Sequence, residues 1–177
     1  MSDLPIRLRD VTLADADLLD EWAASSEIRG EFNDFGEGPG DRQSIREALT
    51  NGPLRNERNG EMIVERVADG QPIGHVSWHE VHYGPPPESR AWNIGVSLVP
   101  EARGHGYGGL AQRLLADHLF ASTDANRVEA STDVENLAEQ RALEKAGFVR
   151  EGIQRGAQFR AGSHHDLVTY ARLRGDR

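Results

Sequence analysis

The 177-residue sequence predicts an α+β fold: a mostly antiparallel mixed sheet with flanking helices and one parallel crossover. Three observations carry this expectation. Asp69-Gly70 joins two apolar runs and reads as a hairpin turn, because both central residues of a type I′ turn need positive φ. Trp92, Ile94, Val96 and Leu98 alternate with Asn93, Gly95 and Ser97, then lead through a glycine-rich loop into a helical pattern and another strand. Hairpin signals, not further crossovers, precede that unit, which argues against a doubly wound sheet.

The elements follow in order. Ile6 and Leu8 alternate with Arg7 and Arg9 as a first strand. Thr12 can cap a helix whose first turns hold Asp15 and Asp17 and whose apolar stripe is Leu18, Leu19 and Trp22. Arg29 to Asp41, rich in Gly and acids, reads as a loop, and Arg42 to Thr50 as a short second helix. Strands are expected at Glu61–Val67 and Ile73–Tyr83, where Gly84-Pro85-Pro86-Pro87 ends the run. The central strand holds the alternating residues Trp92 to Leu98. A helix is expected from about Gly109 to Ala121, with Leu110, Ala111, Leu114, Leu115 and Leu119 on its apolar face and Gln112, Arg113 and Asp117 outside it. Arg127–Thr132 reads as a strand, Leu137–Ala146 as a helix stopped by Gly147, and Phe148–Arg155 and Asp166–Leu173 as the last strands. No repeat or linker divides the chain, so residues 1–177 are expected to form a single domain.

Composition narrows the chemistry. There is no cysteine, which excludes disulfides, thiolate metal sites and an acyl-cysteine intermediate. The formal net charge of −9 disfavours nucleic acid and anionic lipid and favours a cationic partner. No apolar run is long enough to span a bilayer, and the first ten residues lack the pattern of a signal peptide. A cytoplasmic protein with no membrane association is expected; a homodimer is compatible with the sequence.

Arg103-Gly104-His105-Gly106-Tyr107-Gly108 lies between the central strand and the amphipathic helix. Glycines there allow close backbone approach, successive amides can converge on one anion, and the helix start adds positive charge, so a pyrophosphate is the natural guest. Gly104, Gly106 and Gly109 also match a dinucleotide fingerprint, with Asp133 as its ribose-binding acid. That reading requires the glycines to follow their strand directly, but Pro100-Glu101-Ala102-Arg103 intervenes.

Val99 to Gly108 resembles the acetyl-CoA motif R-x-x-G-x-G of the GNAT superfamily. Asn136 to Phe148 resembles the N-x-x-S-x-x-x-x-E-K-x-G-F segment of its RimJ/RimL-like branch, and Asp166 to Tyr170 resembles that branch's last strand. The resemblance implies a GNAT fold with a splayed central pair of parallel strands and acetyl-CoA between them as acyl donor. It implies that Leu98 and Val99 offer backbone groups to the pantetheine arm. Amides of Arg103, Gly104, His105, Gly106, Tyr107, Gly108 and Gly109 would hold the pyrophosphate, and Asn136 the pantetheine or its exit. The implied reaction is direct transfer of an acetyl group to a primary amine, either a protein N-terminus or a small cationic amine such as an aminoglycoside-like compound.

The chain departs from the family at the catalytic positions. Glu139 replaces the serine three residues after the asparagine, Gln158 aligns with a glutamate used by some ribosomal-protein acetyltransferases, and Asn93 replaces an acid before the central glycine. These losses leave a non-catalytic CoA-binding regulatory module as an alternative; a dinucleotide-binding oxidoreductase is a further one. Two acids are the catalytic candidates. Glu139 shares a helical face with Ala142, Leu143 and Ala146, where burial would raise its pKa and let it exchange protons with thiolate or amine; Asn136 and Glu139 also have the spacing of a capping box. Glu80 shares a strand face with Val76 and Trp78 and could act as a base through water, or be an edge-strand acid.

The acceptor is expected beside Arg29–Asp41. Glu31, Asp34 and Glu37 would attract an ammonium there, and Phe32 and Phe35 could stack on it; a solvated acidic loop is the alternative. His79 with His82, and His164 with His165, fall on opposite strand faces, so no metal site is expected. His118 reads as a packed histidine, and Trp22, Trp78, Trp92 and Leu143 as core.

Overall fold

The computed structural model describes residues 4–33, 35, 45–50, 52 and 54–176. Its elements are β1 (Ile6–Asp10), α1 (Ala16–Ala24), α2 (Ser26–Arg29), α3 (Ile45–Thr50), β2 (Asn59–Arg66), β3 (Gln71–His82), β4 (Arg90–Leu98), α4 (Tyr107–Ser122), β5 (Arg127–Asp133), α5 (Leu137–Lys145), β6 (Val149–Arg160) and β7 (Ser163–Leu173). The strands form one seven-stranded sheet in the order β1-β2-β3-β4-β5-β7-β6. Every pairing is antiparallel except β4–β5. The expected mixed sheet with one parallel pair is therefore present.

Apolar alternation puts helices on both faces. Val76, Trp78, Trp92 and Ile94 pack with Ala111, Leu115 and Leu119 of α4. Ile63, on the opposite face, packs with Leu19 and Trp22 of α1, and Ile45 and Leu49 of α3 join them. Trp22, Trp78, Trp92 and Leu143 are all buried, as their pattern predicted. No helix among the described residues is long and apolar enough to cross a membrane.

Four boundaries differ from the sequence reading. The helix expected from Thr12 is a 3₁₀ turn at Leu13–Asp15, then α1, then α2 after a break at Ser25, which is extended and caps Ile28 N through its hydroxyl at 3.3 Å. The second helix is seen over Ile45–Thr50, and residues 42–44 lie outside the described ones. Helix α4 begins at Tyr107 rather than Gly109, because Gly106 at φ 80° forms its N-cap. The last two strands form a much longer hairpin. Bulges at Arg150/Gly152 and Gln154/Gln158 interrupt the alternation by which strands are recognised, and the turn residues Ala161 and Gly162 both have positive φ.

Candidate active-site cleft

Strands β4 and β5 are hydrogen-bonded only through Ala91–Arg127, Trp92–Val128 and Asn93–Glu129. Beyond Asn93 they diverge, leaving the C-terminal half of β4 without a partner on that side. The wedge opens into a cavity of about 610 Å³, walled by Val96, Ser97 and Leu98, the glycine loop, the facing sides of α4 and α5, and the segment from Ile28 to Asn33.

The loop is held by its own arginine. Arg103 donates to the carbonyls of Leu98 (3.0 Å), Glu27 (3.0 Å) and Ile28 (2.7 Å), tying it to β4 and α2. The Arg103 amide, expected to hold the pyrophosphate, instead donates to the Pro100 carbonyl at 3.1 Å, which leaves the amides after it, rather than that guanidinium, for an anion. Gly104 and Gly106 have φ 78° and 80°, and a Cβ on either would meet no protein atom within 4 Å. Gly109 answers a different need: its Cβ would lie 2.8 Å from the Ala142 carbonyl oxygen, so glycine permits α4 and α5 to approach.

Leu98, Arg103, Gly104, Gly106, Gly108, Gly109 and Asn136 of the expected cofactor set line the cavity. Val99, His105 and Tyr107 do not. The Val99 amide bonds the Ile73 carbonyl at 3.0 Å and its side chain packs into both cores, so it has no free donor for a pantetheine arm. The His105 ring stacks on Tyr107, with centroids 5.7 Å apart, and its Nδ1 lies 2.8 Å from the Arg103 carbonyl. The sequence reading missed Arg113, Arg141 and Lys145, which bring three cations to the same cavity. The i,i+4 spacing of Arg141 and Lys145 places both on one face of α5, a signal visible in the sequence.

Glu139 stands in the wall of the cleft, but it is not the second half of a capping box. The Asn136 side-chain oxygen accepts from the Glu139 amide at 3.2 Å, while the Asn136 amide is satisfied by the Asp133 carbonyl at 3.0 Å. The Glu139 carboxyl instead accepts a hydrogen bond from Nε2 of Gln112 across the α4–α5 interface. Gln112, expected outside the apolar face, is 1% exposed because α5 covers it. Burial pushes the Glu139 carboxyl up to about 6, and the Gln112 bond partly offsets the rise.

Glu80 has a different place. It lies opposite Trp92, four residues before Val96, or about 13 Å along the strand from the cavity wall. There it pairs with His82 (3.2 Å) and Arg90 (3.6 Å). Strand β3 is also internal, so Glu80 is neither at the cleft nor on an edge strand. Of the acceptor-loop residues, Phe32 lines the cavity, whereas Glu31 and Phe35 are exposed. Asp34 and Glu37 lie outside the described residues. Asp133, the ribose acid of the dinucleotide reading, is buried in an ion pair with Arg160, and its carboxylate is thereby committed.

The sheet face beneath α1 carries polar groups in cross-strand pairs: His75–Ser97, Ser77–Gly95 and His79–Asn93. Gly95 and His79 are exposed in the middle of the sheet, so this face is open there. Glu61 and Nδ1 of His75 form a carboxylate–imidazole pair beside Trp22. Nothing in the sequence pattern marks that pair, since it depends on the β2–β3 register.

A wedge between splayed parallel strands, walled by a glycine-rich loop at the start of a helix, is the architecture of an acyltransferase. The chain belongs to the GNAT family: the family model described as "Acetyltransferase (GNAT) domain" matches residues 6–149. It is an N-acetyltransferase, and GNAT acetyltransferases use acetyl-CoA. The chain is 29% identical over 172 residues to the "Putative ribosomal N-acetyltransferase YdaF" of Bacillus subtilis (strain 168), covering 96% of this chain and 91% of that protein. It superposes on a spermidine N-acetyltransferase from Vibrio cholerae in complex with CoA and spermine, with a TM-score of 0.79, 21% identity and 97% of each chain covered. A ribosomal-protein-S5-alanine acetyltransferase from Vibrio fischeri gives a TM-score of 0.78 at 18% identity, covering 99% of this chain and 97% of that one. At these identities the two structures speak for a shared fold.

Proposed function

We propose that this enzyme transfers the acetyl group of acetyl-CoA directly to a primary amine that is cationic in solution, a small polyamine-like molecule or a protein N-terminus. The observation that carries the reading is a single cavity that brings the glycine loop and the Phe32 segment together. The glycine-loop amides with Arg113, Arg141 and Lys145 would meet the phosphates, and Phe32 and Ser97 of the same cavity would meet the amine. The pantetheine lies along β4, in the gap that β5 leaves. No described group offers a covalent acyl-enzyme route of the cysteine type, since the chain contains no cysteine.

In this reading the amine nitrogen attacks the thioester carbonyl carbon, the C–N bond forms, and the C–S bond then breaks to release CoA thiolate. One proton leaves nitrogen and one must reach sulfur. Glu139, titrating near 6, is ionised often enough at neutral pH to accept the first, and acidic enough once protonated to return it to the thiolate. The incoming ammonium gives its earlier proton to solvent before the free amine attacks.

A panel of amines tests the function. Thiol release from acetyl-CoA is measured with spermidine, an aminoglycoside and a short peptide with a free N-terminus. Acetylation of one class identifies the acceptor. Tight acetyl-CoA binding with no amine turned over would instead support the non-catalytic module.

A further inference from the structure

The proposed acceptor wall is clasped to the cofactor wall by one buried ion pair. Arg160, at the end of β6, is 7% exposed, and the Asp133 side chain at the end of β5 is 1% exposed. The Arg160 guanidinium donates through Nη2 to Asp133 and through Nη1 to the Glu31 carbonyl at 2.7 Å. It also lies over the Phe32 ring, 5.4 Å from the centroid. Gln158 accepts from its Nε at 3.2 Å. His165 closes the cluster: its Nδ1 is 3.4 Å from Asp133, and its Nε2 is 3.1 Å from the Arg160 carbonyl.

Asp133 faces two ways. Its other carboxylate oxygen accepts from the Glu135 amide at 2.8 Å, and its carbonyl accepts from the Asn136 amide at 3.0 Å. It therefore builds the turn that carries Asn136 and Glu139 into the cleft while holding the arginine that holds Phe32. Phe32 and Asn136 line the same cavity.

We infer that Arg160 is a positioning residue that couples the two walls, so that seating of CoA against the Asn136–Glu139 turn also orders the Phe32 segment for the amine. This rests on the proposed function for the identity of the acceptor end, but the coupling itself is measurable with CoA alone. The three contacts explain why the residue is arginine: a planar guanidinium can bond a carboxylate and a carbonyl while stacking on a ring, which lysine cannot.

The experiment uses hydrogen exchange of the full-length chain, with and without CoA, together with steady-state kinetics on spermidine or whichever panel amine is turned over best. Removing Arg160 alone would strand a buried carboxylate, so the main variant is the apolar pair Asp133→Leu with Arg160→Met. Phe32→Leu is the second probe and leaves the ion pair intact. In the wild type, CoA is expected to slow exchange at amides 27–33 about tenfold. The double variant loses that response and shows an amine KM raised about tenfold; it also loses the Asp133 bond to the Glu135 amide, so the acetyl-CoA KM is read in Arg160→Lys, which keeps that bond, raises the amine KM and leaves acetyl-CoA KM within about twofold. Phe32→Leu raises the amine KM but keeps the CoA response. Arg160→Lys recovers the ion pair without the response. Absence of a CoA effect on 27–33 in the wild type, or its persistence in a folded double variant, overturns the coupling. Failure of every amine while the CoA response holds overturns the acceptor reading alone.

Discussion

The Gln112 carboxamide on α4 donates to the Glu139 carboxyl on α5, joining the two helices that wall the cofactor side of the cleft. The bond favours the ionised carboxyl, whereas burial favours the neutral one, and burial is the larger effect. The carboxyl is left titrating in the range where proton transfer in both directions is feasible.

Glu139→Gln is expected to lower kcat about tenfold or more, with acetyl-CoA affinity unchanged within about twofold. The wild-type rate should rise with pH through about 6 as the carboxyl ionises, and the variant should lose that limb. Stability should move the other way. The folded-state pKa lies above the unfolded one, so the folded state binds the extra proton and stability falls as pH rises from about 4.5 to about 6. The Gln variant lacks that loss, and its Tm at pH 7 should be no lower than that of the wild type. A variant with full activity and an unchanged pH profile would leave Glu139 without a chemical role.

Gln112→Leu tests the same pair from its other side. Removing the donor should carry the rate limb to higher pH, because the ionised carboxyl loses its only described side-chain bond. The Gln112 Oε1 is already buried without a hydrogen-bond partner, so the stability cost, about 1–3 kcal/mol, comes from leaving the Glu139 carboxyl without its donor. Paired pH–rate profiles and melting curves decide it; a profile that does not move shows that the bond fails to tune Glu139.

Gly106→Trp should weaken acetyl-CoA binding about tenfold or more, because the side chain would occupy the space that the loop leaves for phosphate. The left-handed backbone there adds a conformational cost of about 1–2 kcal/mol. The site is at the surface, so the sheet should survive. Calorimetric titration alongside circular dichroism separates the two effects, and unchanged affinity in the folded variant removes the loop from the binding site.

Much of this cleft is written locally in the chain. The glycine loop, the Asn136 cap and the apolar stripes of α4 and α5 each depend on residues within a few positions of one another. The rest depends on which elements meet. Gln112 is polar and sits off the apolar face of a helical wheel, yet α5 covers that flank. Glu80 has the expected face but the wrong level along β3, which only the pairing of β3 with β4 determines. Glu61 with His75 and Asp133 with Arg160 are brought together across 14 and 27 residues by strand register and by a bulged hairpin. No spacing rule points to either pair.

Arg113, Arg141 and Lys145 predict a salt-dependent cofactor affinity on a protein whose net charge is −9. Each replacement by methionine should weaken acetyl-CoA binding by about threefold to tenfold and flatten its dependence on ionic strength. Titrations at low and high salt are the measurement. The same variants should leave binding of an uncharged acetyl-pantetheine fragment unaltered; weakening there would mean that the cations shape the cleft rather than meet phosphate.

Asp15 sets the acid end of the stability curve. The Arg9 guanidinium donates to both of its oxygens, at 2.8 and 2.7 Å, and to Glu65 at 2.6 Å, linking the 3₁₀ turn before α1 to β1 and β2. These bonds, opposed by burial and helped by Thr12, hold the Asp15 carboxyl at about 2, below its ordinary 3.8. A depressed carboxylate pKa contributes stability that is complete above the unfolded-state value and disappears as pH falls through the folded-state value. The window is thus from about pH 4 down to about pH 2. Asp15→Asn should cost about 2 kcal/mol at pH 7, and the gap to the wild type should close as the pH approaches 2. Denaturant titrations at pH 7, 4 and 2.5 measure it. A cost that is the same at all three would assign the loss to packing around the side chain rather than to the ionised carboxylate and its donors.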